Sequence, residues 1–289
     1  MKPKALAALA LLCLIWGYNW VLMKEALQYA APFDFVALRT MPSALLLFAI
    51  MAARGRPLAP QAPGALFLLG LLQTTGFIGL VTWALMESGA GKTAVLAYTM
   101  PFWTLLLAWP LLGEKVRGAQ WLAVLLALAG LVLVLEPWHL AGSLASKLLA
   151  VAGGVSWALA AILAKRMRAK RSLDLLSMTA WQAFFGAIPL VALALLLPST
   201  PIHWTPYFAL ILLYNIVLGT ALGWMMWLYI LHRLSAGMAG LSVLVIPVIG
   251  VLASRLQLGE RPGATELVGM LTIGAAIVLL SWVNLRRSG

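Results

Sequence analysis

The sequence predicts an all-α integral membrane protein, with ten transmembrane helices arranged as two inverted five-helix repeats. Three observations predict this. The 289-residue chain is 63% hydrophobic and only 10% charged, whereas a soluble chain is about half apolar. Long apolar runs recur from end to end, each near the roughly 20 residues that one bilayer crossing needs. The two halves also share a spaced pattern of Pro, Gly and Glu.

The apolar runs place the spans at about 5–24, 34–53, 65–86, 91–112, 119–136, 145–164, 174–197, 206–231, 237–257 and 265–285. Pro and Gly punctuate the joins, at Ala31-Pro32, Arg56-Pro57, Gly113, Pro198 and Arg261-Pro262 among others, as expected where helices stop. The joins are too short to hold a soluble domain. Lys2 and Lys4 before an apolar run look like a signal peptide. Trp16, Tyr18, Asn19 and Trp20 then stand where a small-residue cleavage site belongs. The first run therefore reads as a retained helix.

Net charge is +12, but the basic residues sit in short joins rather than on a polar face, which argues against nucleic acid as a partner. They set orientation instead, because Lys and Arg concentrate on the cytoplasmic side. With the N-terminus inside, fourteen Lys and Arg fall on the cytoplasmic side and five on the other, with Arg39 left inside a span. Both termini are expected in the cytoplasm of a bacterial inner (plasma) membrane protein. The single cysteine, Cys13, lies in an apolar run and forms no intrachain disulfide.

The repeat is legible residue by residue. Ala90-Gly91, Pro101 and Leu112-Gly113-Glu114 return as Ala236-Gly237, Pro247 and Leu258-Gly259-Glu260, each pair 146 residues apart. Trp83 falls on Tyr229 at the same offset. Trp16 and Lys24 match Trp157 and Lys165 at an offset of 141. The expected repeats are 1–140 and 141–289. Five spans per repeat is an odd number, so the second repeat enters the membrane from the opposite side. Inverted repeats of this kind frame a midplane site in many secondary transporters.

These residues resemble the ten-helix, EamA-type branch of the drug/metabolite transporter superfamily. The resemblance rests on Trp16-Gly17-Tyr18-Asn19-Trp20 with Lys24, on Arg39, and on the two Pro…Gly-Glu blocks, and covers nearly the whole chain. It implies a bacterial inner-membrane exporter of small metabolites such as amino acids, their analogues or amphipathic compounds, working by alternating access. A lipid translocator or a sugar-phosphate or nucleotide-sugar translocator on the same fold is the alternative. The latter calls for several basic residues in the chamber, where only Arg39 qualifies.

Helical spacing gathers the candidate substrate-binding residues. Trp16, Asn19 and Trp20 line the first span, Gln73 and Trp83 the third, and Tyr98 the fourth. Trp157, Gln182, Asn215, Trp224 and Tyr229 come from the second half. Aromatic walls with a few polar groups suit a small-molecule pocket, and the same aromatics also serve helix packing. Arg39 is the one charge well inside a span; snorkelling to the headgroups and a functional role are both open to it. Pro101 and Pro247, placed symmetrically, are candidate hinges. All eight carboxylates sit at or near span ends, with Glu87 the nearest to a coupling group. Proton antiport, exchange and facilitated export thus stay open.

Gly91-Lys92-Thr93 looks like the end of a phosphate loop, but Met86 stands where the pattern needs Gly. No His, Asp, Glu or Cys cluster marks an enzyme, a metal site or a cofactor. The expected partners are a small-molecule solute and membrane lipid, with the chain acting as a monomer or homodimer.

Overall fold

The computed structural model describes residues 3–116, 118–136, 144–170, 173–233 and 245–288. These residues are helical, with no strand among them. In lipid a helix satisfies every backbone polar group within its own segment, which an open strand cannot do. Eight of the helices are long and apolar enough to cross a membrane.

The first two spans are α1 (Pro3–Ala26) and α2 (Pro32–Ala53). The third is interrupted: α3 (Pro63–Gly70), a π-helical stretch Leu71–Ile78, then α4 (Gly79–Ala84). The fourth is α5 (Ala90–Ala97) followed by α6 (Met100–Leu112), and the shorter apolar helix α7 (Ala119–Leu135) follows. Next come α8 (Leu144–Lys170) and α9 (Leu175–Leu196). A later helix run has the same design as the third span, with α10 (Pro206–Leu213), a π-helical stretch Tyr214–Leu222 and α11 (Gly223–Arg233). The chain ends with α12 (Val245–Gln257) and α13 (Ala264–Ser288).

The predicted run 119–136 forms a helix shorter than the bilayer core. The helix Ala119–Leu135 has 17 residues, about 25 Å of rise against a hydrocarbon core of about 30 Å. Gly118 and Glu136, both at positive φ, bound it. The helix α12 is described from Val245 onward; the Ala236-Gly237 half of the repeated motif lies outside the described residues.

Packing is between spans distant in sequence. The main pairs are α2 with α9, α7 with α13, α1 with α12, α6 with α8, and α5 with α12. Glycines let two of these come close. Gly130 on α7 and Gly269 on α13 face each other, so that a Cβ on either would lie within 2.8 Å of the other's carbonyl oxygen. The opposite stripe of α7, with Leu122, Leu125, Leu128 and Val132, is exposed and forms an apolar surface for lipid. Helix association in lipid rests on this kind of close backbone packing, because lipid tails are as apolar as leucine.

The break in the fourth span has a local cause. Pro101 stands in the first turn of α6 and has no N–H to give to the turn before it. It thus begins a helix segment rather than kinking the middle of one. Thr99 Oγ donates to the Leu96 carbonyl at 2.6 Å and accepts from the Trp103 indole at 3.0 Å. The Ala97 carbonyl faces Gly154 on α8, where a Cβ would stand 2.9 Å away. Pro247 is buried in the first turn of α12.

Candidate functional site

The two π-helical stretches give the site its geometry. A π-turn spreads the helix ladder and leaves carbonyls for neighbouring side chains. In the stretch Tyr214–Leu222 the Gly219 carbonyl accepts from the Trp16 indole at 3.0 Å. In the third span the Leu72 carbonyl accepts from the Ser156 hydroxyl at 2.8 Å. Ser156 precedes Trp157, the repeat partner of Trp16. Each half therefore sends a side chain from its first span to a freed carbonyl in the third span of the other half. Gly223 has no side chain for the same reason: a Cβ there would stand 2.6 Å from Trp16 Nε1.

Around the second π-stretch the sequence-predicted residues converge. Trp16 packs edge-on against Trp224 at 5.9 Å and beside Trp227 at 6.2 Å. Trp20 is buried and meets Tyr98, at the break of the fourth span, at 6.4 Å. Asn19 is buried; its amide nitrogen reaches Met23 Sδ at 3.3 Å, and its Oδ1 has no partner. Asn215 is fully buried, donates to the Ile211 carbonyl at 2.9 Å, and also keeps an unpartnered Oδ1. Gly219, one turn on from Asn215, lies against the Asn19 amide. Arg39 is buried on α2, its guanidinium carbon 5.8 Å from the Phe35 ring centroid, with Nε and Nη1 unpartnered. One turn further along α2, Ser43 Oγ lies 3.4 Å from the Ile216 carbonyl of the π-stretch.

The first π-stretch holds a second group. Gln73 is half-buried there. Gln182 is buried on α9 and accepts from Thr74 Oγ at 3.1 Å. Thr75 Oγ donates to the Gly186 carbonyl at 2.7 Å. Trp16, Trp157, Phe77 and Tyr214 pack at the margin of one apolar cluster that contains Trp20, Tyr98 and Met100. Both groups thus adjoin a common interior.

Other candidates lie elsewhere. Trp83 is exposed, its ring against Phe33 at 5.7 Å. Glu87 is exposed in the turn after α4, where Ser146 donates to it at 3.3 Å. Tyr229 lies on α11, and its side chain is outside the described residues.

Sequence reasoning missed Thr74, and missed what the repeated Glu does. Glu260 accepts from the backbone N–H of Ala90 at 2.6 Å and of Gly91 at 3.1 Å, capping the start of α5. Lys24 donates to the carbonyls of Leu85 and Met86 at the end of α4 rather than snorkelling to headgroups. At the opposite ends of their spans, Lys165 and Glu114 form an ion pair with each other. The repetition at 146 residues was the available signal; its backbone partner was not visible.

The description of the EamA-like transporter family fits residues 3–136 and again residues 144–282. The chain belongs to the EamA-like transporter family. It is a multi-pass membrane transporter. It is 27% identical over 290 residues to the uncharacterized transporter YoaV of Bacillus subtilis (strain 168), covering 98% of this chain and 99% of YoaV. It is 25% identical to the uncharacterized inner membrane transporter YedA of Escherichia coli (strain K12), over 95% of this chain and 89% of YedA. A crystal structure superposes on this EamA-like chain with a TM-score of 0.67, at 19% identity over 100% of both chains. That likeness is one of fold.

Proposed function

We propose that this EamA-like chain is a secondary exporter of small, amphipathic or amino-acid-like solutes, working by alternating access across the bacterial inner membrane. The reading takes the chain as ten spans in two inverted repeats, 1–140 and 141–289, with both termini in the cytoplasm. One observation carries it: several helix pairings recur when the two halves are exchanged. The pair α1 with α12 matches α8 with α6, and the contacts of the π-stretch Tyr214–Leu222 with α1 and α2 match those of Leu71–Ile78 with α8 and α9. The twofold family match at 3–136 and 144–282 supports the same division. A pseudo-two-fold of this kind supports two states related by swapping the roles of the halves. The interior shared by Trp16, Trp20, Tyr98 and Trp157 is the proposed chamber.

The test is efflux from preloaded proteoliposomes with labelled amino acids and a cationic aromatic dye, with and without a pH gradient. Saturable efflux is expected. Trp16→Ala removes the ring pair with Trp224 and the bond to Gly219, each worth about 1 kcal/mol. The rate is expected to fall about tenfold or more. Rapid movement of labelled lipid without solute flux would instead identify a lipid translocator. For the orientation, a protease-sensitive tag on the C-terminus is expected to resist protease added outside intact cells and to be cut in inverted vesicles.

A further inference from the structure

We infer that Arg39 recognises a carboxylate on the transported solute, a step that rests on the exporter reading above. Arg39 is 4% exposed, and its Nε and Nη1 have no hydrogen-bond partner among the described residues. Its cover is the Phe35 ring, which attracts a cation without neutralising it. A buried charge is stable only when paired, and a charged side chain inside a membrane marks a solute path or a counter-ion site.

The protein supplies no counter-ion of its own. The chain has eight carboxylates, all among the described residues, and seven are engaged at span ends. Glu260 caps α5 and Glu114 holds Lys165. Glu266 and Glu136 hold Lys147, and Asp174 holds Arg56. Glu25 and Glu87 accept from Gln257 and Ser146. The eighth, Asp34, stands in the first turn of α2 and forms no ion pair with Arg39. The negative charge that Arg39 needs therefore comes from outside the chain.

The neighbouring groups narrow its chemistry. Asn215 Oδ1 and Asn19 Oδ1 are buried, unpartnered acceptors, and Gly219 of the same π-stretch as Asn215 lies against Asn19. Ser43 links the Arg39 turn of α2 to the same π-stretch. One guanidinium matches one carboxylate in a two-pronged bond. The Trp16, Trp224 and Trp227 rings beside Asn19 offer a wall for an apolar body.

The test uses the full chain in phosphatidylcholine nanodiscs and proteoliposomes, with three labelled probes that share a phenyl ring: phenylacetate, phenylalanine and phenethylamine. Binding and flux are measured separately. Phenylacetate and phenylalanine are expected to bind, with Arg39→Gln weakening both about 30-fold or more and leaving phenethylamine unchanged. Arg39→Lys, which keeps the charge but not the fork, is expected to fall between, and stands in if Arg39→Gln does not fold. Equal wild-type binding of all three probes overturns the inference. So does equal loss of all three in Arg39→Gln together with a lowered melting temperature, which marks a structural residue. Displacement of phenylacetate when phosphatidylglycerol is added to the discs assigns the anion to a lipid headgroup and overturns it too. Arg39-dependent binding of carboxylates without flux upholds the site and overturns the exporter reading alone.

Discussion

Gly186→Leu is expected to abolish most of the folded protein, whereas Gly274→Leu leaves it intact. Both glycines lie in the interior of long helices, α9 and α13. Leucine is a better helix former than glycine by nearly 1 kcal/mol, so local propensity favours both changes. The surroundings decide otherwise. A Cβ on Gly186 would stand 2.3 Å from the Gly70 carbonyl oxygen and 2.5 Å from Thr74 Cβ, while nothing lies within 4 Å of one on Gly274. The obstacle at Gly186 is the backbone of α3, which cannot swing aside as a side chain can. Separating α3 from α9 also breaks the bonds from Thr74 to Gln182 and from Thr75 to the Gly186 carbonyl. Overpacking costs about 1–3 kcal/mol where side chains can adjust, and a backbone clash with two lost hydrogen bonds exceeds that range. Size-exclusion profiles of the two variants in detergent after stepwise heating measure the difference. Equal melting of Gly186→Leu and the parent would show that α3 and α9 do not hold the contact described.

The contrast between these glycines shows how much of the structure was legible in the sequence. The apolar runs located the helices, because a membrane span must be long and continuous whatever it packs against. The repeated Pro, Gly and Glu marked a correspondence between the two halves, and helical spacing put Trp16, Asn19 and Trp20 on one stripe of α1. What failed was the direction of faces. In water a helix shows which stripe is buried by the contrast between its faces, but in lipid both faces are apolar. Trp83 lines up with Gln73 and Phe77 by spacing yet points outward, against Phe33. The π-stretches were invisible for a related reason. One extra residue per turn changes the register without changing composition, and its stabilising partners, Trp16 and Ser156, are remote in sequence. Gly186 and Gly274 likewise look the same until the opposing backbone is known.

The repeated Gly-Glu carries the second large expectation, because Glu260 holds the start of a helix. Glu260 caps the first N–H groups of α5, and Lys24 binds the Leu85 and Met86 carbonyls just past the end of α4. An anion at a helix start and a cation at a helix end each match the helix dipole. Both ends of the turn between the third and fourth spans are thus held by groups from α1 and from the loop after α12. Their repeat partners, Glu114 and Lys165, pair with each other and stand 50% and 61% exposed. Glu260→Ala removes two charge-assisted hydrogen bonds, each worth about 1.5–3 kcal/mol, and favours release of the turn it holds. The reporter is a cysteine at Thr93, a fully buried position on the first turn of α5, in a Cys13→Ala background. Its labelling by a membrane-impermeant maleimide outside intact cells is expected to quicken about tenfold or more with Glu260→Ala. With Glu114→Ala it is expected to stay the same, because the exposed pair with Lys165 is worth little. Equal acceleration by both variants would mean general loosening of the bundle. No acceleration by Glu260→Ala would leave the cap a fixture of the helix end rather than a latch.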